Sequence, residues 1–318
     1  MKLTDRIYIA GHSGLVGSAL KRRLELQGYK NLICKTRQEL DLTNQQAVDD
    51  FFAKEKPDAV FLAAAKVGGI LANQTYPADF IFQNLAIQNN IIQAAYQNSI
   101  ARLLFLGSSC IYPRDCMQPI QESYLLTGKL ESTNRPYALA KIAGIEMCAS
   151  YNRQYGTRYL AVMPTNLYGP GDHYDLQNSH VIPALIRKIH EAKISQSDSV
   201  TVWGTGSPRR EFLFVDDLAD ACVFLMELSD PSFDSLLKQG DAPIINVGCG
   251  SDLTIQELVQ CIQEVIGFQG EIVWDRTKPD GTPRKLLDIS RISALGWQSK
   301  HRLLDGLNQA YQAFLQGN

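Results

Sequence analysis

The first half of the chain alternates between short apolar runs and longer stretches whose apolar positions recur at helical spacing. Arg6–Ala10 reads as a strand, followed by a glycine-containing turn and a helix to about Gln27. Leu32–Lys35 is a second strand, and a helix from about Asn44 must stop before Pro57. Ala59–Ala64 is apolar throughout, the pattern of a strand covered on both faces. A helix over Phe80–Asn98, a strand at Leu103–Leu106, a helix over Pro136–Tyr155 and a strand at Tyr159–Met163 continue the rhythm until the breaker run Pro164–Gly171. Alternation of this kind predicts an α/β fold, a doubly wound parallel sheet with helices on both faces.

After Gly171 the pattern changes. Asp172–Ser179 is polar, and Pro183 falls in the first turn of a helix to about Ala192. Short strands are predicted at Val200–Trp203, Phe212–Val215 and Glu271–Trp274, and Ile244–Val247 reads as one more strand of the main sheet. Helices follow over Asp217–Leu228, Thr254–Ile266 and Leu303–Leu315. The expected layout is a nucleotide-binding domain over residues 1–170, with returning segments at about 213–248. A smaller α/β domain takes most of 171–318 and is partly interleaved with the first.

Composition narrows the class. Apolar residues make up 45% of the 318 and charged residues 20%, enough to bury a core and too apolar for disorder. With 31 basic and 33 acidic residues the net charge is −2, so no global basic field marks a nucleic-acid binder. No run approaches the roughly eighteen apolar residues of a membrane span, and the start lacks the apolar centre of a signal peptide, so a cytoplasmic protein is expected. The seven cysteines are scattered with no Cys-x-x-Cys pair, which suggests neither a disulfide framework nor a metal site.

Gly11-His12-Ser13-Gly14-Leu15-Val16-Gly17 lies between a predicted strand and a predicted helix. Glycines at this spacing allow a tight turn and let the backbone approach a pyrophosphate at the positive helix end, a Rossmann-type arrangement. The other reading is a tight turn capped by Ser13. Where an NAD site usually carries an acid after the second strand, this chain has Lys35-Thr36-Arg37. A guanidinium there suits a 2′-phosphate, so NADP is the favoured cofactor, although Arg37 is also consistent with a solvated loop. Ala63-Ala64-Ala65 has no bulk, and fits either close approach of a cofactor or close helix–sheet packing.

Tyr137 and Lys141 stand one helical turn apart and share a face. A neighbouring ammonium would stabilise the phenolate and bring the phenol toward acid–base use. Ser108 falls at the carboxyl end of the fourth predicted strand, where ligands of open sheets bind and a hydroxyl can hold a carbonyl oxygen. Cys110 is two residues further on; in an extended segment both side chains point to one side.

Taken in order, the glycine turn, Ser108, Tyr137 and Lys141 resemble the extended short-chain dehydrogenase/reductase superfamily. Within it, Ala64–Ile70, Leu106–Pro113, Met163–Pro170, Asn178–Pro183 and Lys278–Lys285 resemble the GDP-L-fucose synthase family, NADPH-dependent GDP-4-keto-6-deoxy-D-mannose 3,5-epimerase-4-reductases. The resemblance implies that Cys110 is the epimerisation base and His180 the acid, beside Ser108, Tyr137 and Lys141. It implies cofactor contacts along Gly11–Gly17 and from Arg37, Asp41, Leu42, Leu106, Gly107, Ser108, Ser109, Lys141, Pro164, Thr165, Asn166, Leu167 and His180. Lys188, Trp203, Arg210 and Asp280 are implied to meet a GDP-sugar, and the helices Phe80–Asn98 and Pro136–Tyr155 to form a homodimer. His173, in a loop at 171–177 that carries no assignment, is set aside in favour of His180. The competing readings are a nucleotide-sugar 4-epimerase or 4,6-dehydratase and a non-catalytic NADP sensor. Ser109-Cys110 stands where a dehydratase has an Asp-Glu pair, and a sensor would not need the acid–base set.

Overall fold

The computed structural model describes residues 1–175, 179–278 and 280–317. Asn178 and Pro279 of the resembling segments, and the end of the 171–177 loop, lie outside the described residues. In chain order the strands are β1 (Ile7–Ala10), β2 (Leu32–Ile33), β3 (Ala59–Leu62), β4 (Arg102–Leu106), β5 (Arg158–Pro164), β6 (Asn166–Tyr168), β7 (Ser199–Trp203), β8 (Arg209–Arg210), β9 (Phe212–Phe214), β10 (Ile244–Val247), β11 (Leu253–Thr254), β12 (Glu271–Asp275) and β13 (Arg284–Lys285).

Six strands form one wholly parallel sheet in the order β2–β1–β3–β4–β5–β10. Every residue of β1, β3 and β4 is buried, because helices cover both faces. Strand alternation sends Ile7 and Ile9 of β1 into a core with the helices Leu15–Leu26 and Val215–Glu227. Tyr8 and Ala10 go to the opposite core, under the helices Gln45–Glu55, Pro77–Gln97 and Arg135–Tyr155. The chain leaves β1 on one side to make β2 and on the other to make β3. The carboxyl ends of β1 and β3 therefore border the crevice where such sheets take ligands.

A third core joins the helices Val181–Ile194, Ile255–Ile266 and Leu303–Leu315 with β7. Ile255–Ile266 opens on a capping box, in which the Thr254 hydroxyl accepts from the Glu257 amide at 3.0 Å and the Glu257 carboxylate accepts from the Thr254 amide at 2.7 Å. Beside this core, β7 pairs with parallel β12 and its alternation buries Val200 and Val202 while turning Trp203 outward. β8 lies between β11 and β13.

Two expectations change. The run Pro164–Gly171 is not only a breaker, because Asn166–Tyr168 is β6 and pairs with β9 across 46 residues of sequence. The second strand holds two residues rather than four, as befits a sheet edge with a partner on one side. The helices Ile70–Thr75, Asp230–Leu237 and Ser290–Ala294 were not expected either. All three are too short to show a helical period.

Candidate active site

The turn after β1 explains two of its three glycines by contact. Gly11 has φ +83, and a Cβ there would meet the Ala64 backbone at 2.7 Å; at Gly17 a Cβ would lie 2.0 Å from the Gly11 carbonyl. Ala63–Ala65 is thus small where the glycine turn presses on the end of β3. Gly14 is different, since a Cβ would be 3.6 Å from the Gly11 carbonyl, an ordinary contact. Gly14 is also the N-cap of the helix, with no side-chain cap, so Ser13 does not serve as one. The amides of Leu15, Val16 and Gly17 begin the helix with no carbonyl a turn before them, which makes an anion site. The His12 Nδ1 is buried there without a partner among the described residues. This cradle fits a dinucleotide pyrophosphate.

Arg37 is exposed on the loop after β2, in the field of Asp41. The Asp41 carboxylate accepts from the Thr43 amide at 3.0 Å and hydroxyl at 2.8 Å, and the Leu42 carbonyl accepts from Asn90 at 2.9 Å. At the end of β5, Pro164 and Thr165 are buried, and Thr165 and Asn166 donate to the Glu211 carbonyl at 3.1 and 2.8 Å. Leu167 is half-buried against the core of the Leu15–Leu26 helix.

Leu106 ends β4, and Gly107 lets the chain pass the end of β5, since a Cβ would lie 2.1 Å from the Met163 side chain. Ser109–Ile111 is a single 3₁₀ turn, not extended, with Ser108 as its N-cap; the Cys110 amide donates to the Ser108 hydroxyl at 3.3 Å. Ser108 and Cys110 are therefore neighbours through a capped turn rather than through strand alternation. The Arg135–Tyr155 helix approaches this turn because Gly144 has no side chain: a Cβ would lie 2.6 Å from the Phe105 ring. That packing brings Tyr137 beside the Ser108 side chain, with Phe80 edge-on at 6.3 Å.

The electrostatics differ from the expectation. The Lys141 ammonium is buried and donates to the Leu106 carbonyl at 2.6 Å, lying 5.8 Å from the centre of the Tyr137 ring. Burial lowers its pKa to about 8. Burial and the facing Cys110 hold the Tyr137 phenol far above its usual range, against the pull of the Ser108 side chain. With the Lys141 ammonium directed at the Leu106 carbonyl, burial and Cys110 dominate the phenol.

Cys110 is buried and its pKa is raised by desolvation, against Lys285, Ser108 and Lys141, which pull it down. Lys285 was missed in the sequence although it ends a quoted segment. Nothing local marks it, since its approach to Cys110 depends on β13 pairing with β8. His180 stands at the N-cap of the Val181–Ile194 helix. It keeps an exposed surface, yet the surrounding protein desolvates the ring and lowers its pKa. Among the described residues no hydrogen bond joins it to Ser108, Tyr137 or Cys110. His173 is exposed.

The four remaining predicted residues form a second group. Trp203 is 65% exposed, with the Lys188 ammonium 5.7 Å from its ring centre. Asp280 accepts from the Thr205 amide at 2.9 Å and hydroxyl at 2.7 Å, which ties its loop to the turn after β7. Of the two arginines on β8, Arg209 is engaged by Asp252 at 3.0 Å. Arg210 is held by the Arg209 carbonyl at 2.8 Å and lies near both Asp280 and Lys285. Arg210 and Lys285 thus join this group to Cys110. Among the described residues no three His, Cys, Asp or Glu side chains gather to hold a metal.

What the sheet and the cleft build together is an oxidoreductase fold that sets a dinucleotide crevice beside a serine–tyrosine–lysine group. The chain belongs to the NAD dependent epimerase/dehydratase family, whose profile matches residues 7–248, within the extended short-chain dehydrogenase/reductase superfamily. It is 56% identical over 315 residues to the GDP-L-fucose synthase of Escherichia coli (strain K12), covering 98% of this chain and 97% of that one. It is also 56% identical over 310 residues to GDP-L-fucose synthase 1 of Arabidopsis thaliana, covering 98% and 93%. A solved structure of GDP-mannoheptose C4 reductase from Campylobacter jejuni with NADP bound matches with a TM-score of 0.90 at 42% identity, covering 99% of each chain.

Proposed function

We propose that this chain is a GDP-L-fucose synthase, which epimerises GDP-4-keto-6-deoxy-D-mannose at C3 and C5 and reduces it at C4 with NADPH. The observation that carries the reading is one cluster at the end of β4, in which the Ser108 hydroxyl meets the Tyr137 phenol while Cys110 faces Tyr137, Lys141 and Lys285. The relatives at 56% identity are named for this product, and the NADP-bound relative for C4 reduction.

A 4-keto sugar is acidic at C3 and C5 because either carbanion is an enolate on the C4 oxygen. Ser108 and Tyr137 donate to that oxygen and stabilise the enolate as it forms. Cys110, drawn toward thiolate by Lys285 and Lys141, removes the proton, and His180 returns one from the other face. NADPH, when bound, supplies hydride to C4. Tyr137, still protonated at neutral pH, then protonates the C4 alkoxide, and Lys141 would hold the nicotinamide ribose.

The glycine turn and Arg37 would hold the pyrophosphate and 2′-phosphate, with Asp41, Leu42, Leu106–Ser109 and Pro164–Leu167 lining the rest. Residues 1–170 with 213–248 form the cofactor unit in this reading, and most of 171–318 closes over the sugar nucleotide. The exposed Phe82 and Leu139, on the two long helices, support a homodimer through them. Among the described residues no helix is long and apolar enough to cross a membrane; a cytoplasmic location is part of the proposal.

Purified protein should oxidise NADPH only when GDP-4-keto-6-deoxymannose is supplied, and the product should have inverted C3 and C5. No consumption would sink the reading; reduction without inversion would leave a C4 reductase. In deuterium oxide, Cys110→Ser should stop solvent deuterium entering C3 and C5, and normal uptake would remove Cys110 as the base.

A further inference from the structure

Lys278 lies outside every role assigned so far, and its ammonium is 5.4 Å from the centre of the Trp203 ring. With Lys188 at 5.7 Å, two cations share one exposed indole. Each is attracted by the ring, but they repel one another, a cost that an anion between them would reverse. The neighbouring cations are treated differently. Arg209 and Arg284 both pair with Asp252, at 3.0 and 2.5 Å. Among the described residues Lys188, Lys278 and Arg210 reach no carboxylate at ion-pair distance. Asp275 lies near Lys278 and Asp280 near Arg210, but each carboxylate already accepts two hydrogen bonds from a threonine.

Against Asp275 and Asp280 the three cations still leave one net positive charge, which draws the anionic diphosphate of a nucleotide sugar. The placement also has a direction. From Trp203 the group runs through Asp280 and Arg210 to Lys285, which faces Cys110, so a base at one end leaves the sugar at the other.

We propose that Lys278 is a diphosphate-binding residue, which with Lys188 and Arg210 cradles the diphosphate of a nucleotide sugar whose base lies on Trp203. The proposal rests on the nucleotide-sugar reading above and adds a residue to it. Both lysines are long and flexible, so they leave the ring for the phosphates as the base arrives on it. Lys278 is exposed on a turn, and its substitution does not threaten the fold.

The test uses the full chain with NADP⁺ present and follows tryptophan quenching by GDP, GMP and guanosine. In Lys278→Met the Kd for GDP should rise about tenfold while guanosine binds as before, and the dependence of GDP binding on salt should flatten. Lys278→Arg should retain most of the GDP affinity. A GDP affinity within twofold of wild type in Lys278→Met overturns the assignment, as does an equal loss for guanosine, which would make Lys278 a base contact. If the wild-type protein itself fails to bind GDP, the nucleotide-sugar reading falls and takes the proposal with it. If wild type binds and Lys278→Met binds equally, only the role of Lys278 falls.

Discussion

Lys141→Met should make the protein more stable at neutral pH while removing its activity. The lysine is 2% exposed and burial holds its pKa at about 8 instead of 10.5. That difference costs the folded state about 3 kcal/mol wherever the ammonium is charged in both states. Between pH 8 and 10.5 the unfolded chain keeps a proton that the folded chain has released, so stability rises with pH across that window. Below it the full cost stands. Methionine carries no such cost, but leaves the Leu106 carbonyl without its donor at 2.6 Å, a loss of about 1 kcal/mol. The variant should therefore be more stable by about 2 kcal/mol at pH 7 and less stable by about 1 kcal/mol above pH 10.5. Urea unfolding of both proteins at a series of pH values, followed by circular dichroism, measures the difference directly. A difference that stays flat between pH 7 and 10 would show that the lysine is not desolvated, and would refute the reasoning. Reduction should fall by about a hundredfold or more in the same variant, so stability and activity part company at this residue.

Gly17→Ala should abolish NADPH binding and lower the melting temperature, because its Cβ has only 2.0 Å to the Gly11 carbonyl, whereas Gly14→Ala, with 3.6 Å, should keep the fold; cofactor titration and thermal melting of the pair check both halves. Lys285→Met should raise the pH at which Cys110 reacts with iodoacetamide, since the cation that favours the thiolate is gone. An unchanged alkylation profile would mean that Lys285 does not act on the thiol. Arg37→Asp should weaken NADPH relative to NADH, and an unaltered ratio would free Arg37 from reading the 2′-phosphate.

The sequence by itself carried the central architecture, because its signals are local. Continuous apolar runs at β1, β3 and β4, and glycines that must turn the chain at Gly11, can be read a few residues at a time. The same locality makes Ser108, Tyr137 and Lys141 legible as residues. Their electrostatics were not. Only the tertiary structure gave the Lys141 ammonium to the Leu106 carbonyl and buried Cys110, so that desolvation raises its pKa. The pairing of β6 with β9, hidden inside a proline-bounded run, needed a partner 46 residues away. Lys285 and Lys278 were hidden for the same reason. A single lysine has no local signature, and what makes these two matter is the thiol and the indole that distant strands bring beside them. Folding pattern is written in neighbouring residues; proton affinity and ligand contact depend on burial and on charges that only the closed chain assembles.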